Sequence, residues 1–439
     1  MLPGNGELLN RAVARASTAL EAGTAPRVVV IGAGFGGLAA VQVLRRQPVT
    51  VTWIDRRNYH LFQPLLYQVA TAALSPADIA SPVREIARNW SNVEVQLATV
   101  RAIDKENCVV ATTEGSVPYD FLILATGAET SYFGNENWAR CADGLKDLDE
   151  AIAIRRKVLL ALERAETAPS EEERRRILTF VLIGAGPTGI EMAGAIADLA
   201  KHMLVRDFRN VRPEIISVIL MEAMDQVLPG FPEDLASFAH RKLKDMGVDV
   251  RTGTKVDRIE EDGVVAGGKH IASSVTIWTA GVKATPVADW LDVEADKKGS
   301  VKVLPDLTIP GDPRVFVIGD AAAACDEDGN PLPGLAAVAK QQGSFVGGRI
   351  ADLVRGKQAS SVFRYRDWGT LATMGRSSAV ADFGRLHLRG FGAWVVWVAV
   401  HIWYLIDFRN RVRVLVNWAW EYLAFRPGAR LITGDRSRE

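Results

Sequence analysis

An α/β protein built on two doubly wound, parallel-sheet units is what the 439-residue sequence predicts. Three observations predict it. An apolar, β-branched run that feeds a glycine-rich turn and then a helical pattern occurs twice. An acidic residue closes the strand that follows each copy. Two further apolar runs end in glycine turns of their own, and a sixteen-residue aromatic stretch, Phe391 to Ile406, sets the C-terminal part apart.

Taken in order, the first unit starts at Arg27-Val-Val-Val-Ile31, which suits a strand buried on both faces. Gly32-Ala-Gly34-Phe-Gly36-Gly37 follows, then the helical pattern LAAVQVLRR. A second strand, Val49–Ile54, ends at Asp55, 23 residues after Gly32. The run Phe121–Leu124 leads into Ala125-Thr126-Gly127. Between the units, Ser170 to Arg176 (SEEERRR) reads as a solvated loop. The second copy is Leu178–Ile183, then Gly184-Ala-Gly186-Pro-Thr-Gly189, then the helix IEMAGAIADLAKHM. Its next strand, Ile215–Met221, ends at Glu222. The Gly184–Glu222 spacing of 38 exceeds the usual ~20, which a longer helix and a polar loop at Arg206–Arg212 account for. Thr276 to Gly281 echoes the first copy more briefly, and Val315–Ile318 leads into Gly319-Asp320.

Composition narrows the function. Fifty-two basic residues balance 52 acidic ones, which gives no support for a nucleic-acid binder. Cys108, Cys141 and Cys325 are far apart and form no CxxC, so a disulfide scaffold, a zinc ribbon and a cysteine-ligated cluster are excluded. No metal site is expected, and Asp326–Asn330 reads as an exposed turn rather than a calcium loop. Residues 1–26 hold no apolar core of a signal peptide, so a loose tail or short helix on the cytosolic side is expected.

A glycine turn of this kind binds a pyrophosphate only between a strand and a helix, where backbone N–H groups and the helix N-terminus converge. The first glycine permits the turn, the second lets phosphate approach and the third lets helix and sheet close up. Both copies have that context, so two Rossmann-like units and two dinucleotides are expected. Glu222 would bond a ribose 2′-hydroxyl and repel a 2′-phosphate, and no arginine follows it at once, which favours NADH over NADPH.

With these features the chain resembles the two-dinucleotide-binding-domain flavoproteins of glutathione-reductase-like architecture, over about residues 27–345. The resemblance implies an FAD domain (27–145 and 282–345) with an inserted NADH domain (146–281). It assigns FAD to Gly32, Gly34, Gly36, Gly37, Asp55, Arg56, Thr126, Gly127, Gly319 and Asp320, and NADH to Gly184, Gly186, Gly189 and Glu222. Asn58 to Thr71 (NYHLFQPLLYQVAT), Gly184 to Glu191, Trp278 to Val282, Ala339 to Gly343, Phe363 to Asp367, Gly369 to Thr373 and Phe408 to Arg411 resemble type II NADH dehydrogenase. That implies a single-subunit, non-proton-pumping enzyme passing electrons from NADH through FAD to ubiquinone or menaquinone, with Glu191 near the nicotinamide or a proton path. Many relatives carry a glutamine where Ala337 stands here, which leaves Lys340 and Gln341 as the polar groups expected nearest flavin and quinone. Without paired cysteines, disulfide reductase and sulfide:quinone reductase chemistry lack their tools. His60 and Tyr67 are placed equally well in a flavin pocket or in plain packing.

Residues 346–439 are expected to form an amphipathic, membrane-anchoring region. Residues 361–439 hold 12 arginines, no lysine and six acids, a net +6, and five of the 11 tryptophans lie between Trp394 and Trp420. In 409–425, Arg409, Arg413, Asn417 and Glu421 share one helical face, with Val412, Leu415, Val416, Ala419 and Leu423 mostly opposite. A helix lying in the membrane interface fits this pattern. A buried or dimer-interface helix pair and a spanning hairpin are the alternatives; the first segment is short for spanning. The expected state is a homodimer held peripherally (monotopically) on the cytoplasmic face of the cell inner membrane. A soluble NADH:ferredoxin- or rubredoxin-type reductase and a redox-sensing flavoprotein are the competing readings.

Overall fold

The computed structural model describes residues 25–200, 207–357, 362–406, 408–424 and 430–432. The expected N-terminal tail up to residue 24, and the end of the second dinucleotide helix at Lys201–Met203, lie outside the described residues. The chain divides into two compact units. One gathers the described residues up to Leu61 with Ser81–Glu129 and Val282–Asp367; the other gathers Phe62–Ala80, Thr130–Gly281 and the described residues from Trp368 onward.

The first unit is organised by a six-stranded sheet. Its order is Thr308–Ile309, Asp312–Val317, Phe121–Leu124, Arg27–Ile31, Thr50–Asp55, Val93–Leu97. All neighbours are parallel except the terminal 308/312 pair. Val28, Val29 and Val30 are fully buried in its centre, as a continuous apolar run demands. On one face, the antiparallel strands Val100–Asp104, Val109–Thr112 and Gly115–Pro118 form a second layer. Val29, Leu122, Val317 and Val110 belong to the core that includes both layers. The helix Phe35–Leu44 packs against Ala336–Val354 through glycines: a Cβ on Gly343 would overlap the carbonyl oxygen of Gly36.

The second unit repeats the plan with five parallel strands ordered Ala142–Gly144, Val275–Trp278, Thr179–Ile183, Ser217–Met221, Val248–Arg251. The run Ser170–Arg176 is not a loop. Glu171–Ile177 is a helix, capped by the Ser170 hydroxyl, which accepts from the Glu173 N–H. Three glutamates in the first turn and three arginines in the last suit the helix dipole, and Glu171–Arg175 and Glu173–Arg176 pair along it. None of its residues is buried.

The C-terminal part of this unit begins with the antiparallel strands Thr370–Thr373, Ala379–Asp382 and His387–Gly390. The helices Phe391–Tyr404 and Phe408–Ala424 follow. No helix among the described residues is long and apolar enough to cross a membrane. Ala393 and Trp397 of the first helix turn inward, and His401 stacks on Trp397 at 4.0 Å. The second helix turns polar and apolar side chains both inward and outward. Asn410 and Val414 are buried, Asn417 donates to Asp78 at 3.3 Å, and Trp418 Nε1 donates to Gln68 at 2.7 Å. Its apolar Val412, Leu415 and Val416 are exposed, the last two at 49% and 58%. The side chains of Arg409, Glu421 and Leu423 lie outside what the structure describes.

Candidate active site

Each unit carries one dinucleotide turn, and the two are built alike. In the first, Gly32 adopts φ +107°, and a Cβ there would overlap the Ala125 carbonyl. A Cβ on Gly37 would overlap the carbonyl of Gly32 itself. Gly34 differs: nothing stands within 4 Å of where its Cβ would be. The turn thus has two glycines forced by packing and one that leaves an open cradle at the start of the Phe35–Leu44 helix, the geometry a pyrophosphate needs. In the second unit Gly184 (φ +101°) lies against Ala280, with 2.6 Å from the would-be Cβ to Ala280 Cα. Gly189 lies against the carbonyl of Gly184, and Gly186 is open. Pro187 opens the helix Pro187–Asp198 at a position whose N–H has no helical partner to lose.

The acid after each second strand locks its turn. Asp55 accepts from the N–H groups of Ala33 (2.5 Å) and Arg57 (2.7 Å). Burial pushes its carboxyl above its ordinary pKa, and those two N–H groups oppose the rise. Glu222 makes the same pair of bonds, from Ala185 (2.7 Å) and Met224 (2.9 Å). Each carboxylate uses one lone pair per oxygen on the backbone and keeps others for a ribose diol. Arg56, the next residue along, is exposed.

The remaining first-unit residues lie on neighbouring strand ends. Thr126 Oγ1 and Thr285 Oγ1 share a 2.5 Å hydrogen bond, and Thr285 Oγ1 also stands 3.2 Å from the Gly127 carbonyl. Gly319 (φ +70°) begins the Gly319–Ala321 turn and donates its N–H to Gln342 Oε1 at 2.7 Å. The Asp320 carbonyl accepts from Ser300 Oγ. Lys340 is half-buried on the long helix. Gln341 is engaged otherwise than expected: its amide donates to the Arg366 carbonyl and accepts from the Arg366 N–H, at 2.9 and 3.0 Å, clamping the helix to the segment before Asp367.

Two contributors, Gln342 and Thr279, were not singled out by sequence pattern, and a third was left open. Gln342, not Gln341, braces the Gly319 turn; adjacent helix residues point about 100° apart, and the run Gln-Gln does not say which points inward. Thr279 Oγ1 lies 2.8 Å from the Gly184 carbonyl and 3.0 Å from that of Ile183. His60, which the sequence left undecided, is buried with Nδ1 2.7 Å from the Ala33 carbonyl. Burial lowers its pKa to about 4, so the ring is neutral and Nδ1–H donates.

In the second unit Glu191 is buried on the helix that follows its turn. The Thr373 N–H reaches its Oε1 at a long 3.4 Å. Burial raises the carboxyl to about 8 against that weak opposing bond, so it is protonated at neutral pH. A cavity of about 80 Å³ also lies in this unit, several times what one water needs. Trp394, Trp397 and Trp418 line it with Tyr67 and Gln68.

The raised Glu191 pKa has a signed consequence. Between about pH 4.5 and 8 the folded chain keeps a proton that the unfolded chain releases. This contribution is therefore present below pH 4.5 and lost as pH rises to 8, by up to a few kcal/mol. Glu191→Gln removes the dependence. Thermal unfolding is expected to show the variant gaining several degrees on the wild type between pH 5 and 8.5; a constant gap contradicts the buried, protonated carboxyl.

Comparison with known proteins agrees with this geometry. The pyridine nucleotide-disulphide oxidoreductase family matches residues 26–343. The type II NADH:quinone oxidoreductase Ndh of Mycobacterium tuberculosis is 41% identical over 426 residues, covering 94% of this chain and 91% of that protein. The mitochondrial internal alternative NAD(P)H-ubiquinone oxidoreductase A1 of Solanum tuberosum is 30% identical, covering 90% and 86%. Among solved structures, NDH2 of Plasmodium falciparum in complex with NADH superposes with a TM-score of 0.84 at 20% identity, covering 93% of this chain and 100% of that one, which shows the shared fold. The chain belongs to the type II NADH:quinone oxidoreductases, within the pyridine nucleotide-disulphide oxidoreductase family.

Proposed function

We propose that the protein is an FAD-dependent NADH:quinone oxidoreductase, a non-proton-pumping entry point to a respiratory chain. The observation that carries the reading is the pair of complete dinucleotide cradles, each with an open middle glycine and an acid-locked turn. In this reading the first unit holds FAD through the Gly32–Gly37 turn, Asp55, Thr126 and the Gly319-Asp320 turn. The second holds NADH through the Gly184–Gly189 turn and Glu222. Bound there, FAD would supply two-electron redox chemistry between the nicotinamide of NADH and a quinone, ubiquinone or menaquinone.

The chain's own residues position and protect. The two turns aim backbone N–H groups and helix N-termini at the pyrophosphates. Glu222 bonds the adenosine ribose and disfavours a 2′-phosphate. Glu191, protonated at neutral pH, holds a proton in the interior of the second unit, as a proton-coupled reduction requires. Lys340, half-buried on the long helix, is the cation this reading assigns to the quinone side, while Gln341 acts through the backbone it clamps. The tryptophan-lined cavity supports an apolar, ring-bearing substrate.

The same reading puts the protein peripherally on a membrane, at the cytoplasmic face. Support comes from the outward apolar stripes of the two C-terminal helices. Phe391, Val395 and Trp403 are exposed on one, Trp403 at 74%, and Val412, Leu415 and Val416 on the other. Each such side chain, once fully buried, contributes roughly 1.5–3 kcal/mol, and the net +6 of residues 361–439 adds attraction to anionic lipid. A soluble ferredoxin-type reductase has no use for this surface. A second copy of the chain, giving a homodimer, is the other occupant it could take.

Purified protein should show flavin absorption and oxidise NADH much faster than NADPH, at high rate only with a short-chain quinone present. No flavin, or equal use of NADPH without quinone dependence, overturns the reading. Changing Val412, Leu415 and Val416 together to Glu is expected to cut sedimentation with anionic vesicles at least tenfold while flavin content and oxidation with a water-soluble quinone persist. Undiminished vesicle binding with a halved native mass would instead make the face a contact between two copies.

A further inference from the structure

Phe133 is unusual twice over. The residue is 65% exposed, and its backbone sits at φ +53°, a region that costs a non-glycine residue free energy. The surrounding segment is held firmly. The Ser131 N–H donates to the Gly281 carbonyl at 3.1 Å, and the Ser131 carbonyl accepts from Trp278 Nε1 at 2.7 Å. Asn135 Nδ2 donates to the Tyr132 carbonyl at 3.2 Å. The ring lies over Gly281, where a Cβ would stand 2.6 Å from Phe133 Cζ, and meets Trp278 edge-on at 5.8 Å. A strained turn is thus fixed so as to show an aromatic face to solvent beside the segment Trp278–Gly281.

That segment is part of the second dinucleotide site. Ala280 packs on Gly184, and Thr279 Oγ1 lies within hydrogen-bonding distance of the Gly184 carbonyl. The strand Thr179–Ile183, which feeds the turn, has Ser217–Met221 on one side and Val275–Trp278 on the other, all parallel. Their C-terminal ends therefore share one edge of the sheet, where α/β sheets bind ligands. Glu222 ends the strand on the first side and takes the adenosine ribose there. With the pyrophosphate at the central turn, the remaining half of the dinucleotide extends to the opposite side, across the end of Val275–Trp278, where Phe133 stands.

We propose that Phe133 is the aromatic wall of the nicotinamide subsite, stacking on the nicotinamide ring and orienting it without taking part in the chemistry. The proposal rests on the second unit's being the NADH site. It explains why an exposed phenylalanine is kept in a strained conformation: glycine there would relieve the strain and lose the ring. Stacking of this kind accounts for a three- to tenfold change in affinity at about 0.5–1.5 kcal/mol.

The test compares two ligands that share the adenosine and pyrophosphate halves. Binding of NAD⁺ and of ADP-ribose, which lacks nicotinamide, is measured by calorimetry on the FAD-loaded protein and on Phe133→Ala, Phe133→Leu and Phe133→Tyr. The expected result is NAD⁺ affinity three- to tenfold weaker in the Ala and Leu variants, near wild type in Tyr, and ADP-ribose affinity unchanged in all. Equal loss for both ligands, which a purely structural role would give, overturns the proposal, as does unchanged NAD⁺ affinity. If the wild type binds neither ligand, the NADH reading itself fails.

Discussion

In both units the third glycine of the dinucleotide turn lies so close to the carbonyl of the first that no side chain fits between them. The rest of the site follows from that contact. It brings the helix N-terminus down onto the strand end, so the helix dipole and its unpaired N–H groups point into the space over the middle glycine. It also presents the second residue's N–H to the acid of the next strand, Asp55 or Glu222, at 2.5 and 2.7 Å. The acid is thereby fixed where a ribose would lie. One steric constraint sets the phosphate cradle, the ribose anchor and the spacing between them, and the chain uses it twice.

Three titratable groups inside the protein are kept uncharged. Glu191 holds its proton up to about pH 8, while His60 and His401 are held neutral down to about pH 4. His60 spends its proton on the Ala33 carbonyl and His401 stands 2.7 Å from that of Trp397. Burial is the leading cause in all three. A low-polarity interior favours the neutral form of acid and base alike.

Much of this was legible in the sequence because it depends on local pattern. The run Phe121–Leu124 is a strand with those bounds, since four consecutive apolar residues before a glycine leave little choice. The glycine turns carry their geometry in their spacing. What was not legible depends on direction in space. SEEERRR forms a helix because its cap and ion pairs act together without an apolar face to betray them. Gln341 and Gln342 differ only in which way each points. Phe133 looks like any aromatic until its backbone angle and exposure are known. The last helix is amphipathic in sequence, but only the structure shows that Asn410 and Asn417 face inward and Leu415 and Val416 outward.

The central claim is that one turn geometry serves two different dinucleotides, FAD in the first unit and NADH in the second. The most direct test sets Gly37→Ala beside Gly189→Ala and records the flavin spectrum of each, followed by anaerobic titration with NADH. The account predicts that Gly37→Ala purifies without bound flavin. It predicts that Gly189→Ala keeps its flavin, which dithionite still reduces and NADH no longer does. Flavin lost from Gly189→Ala but kept by Gly37→Ala would contradict it.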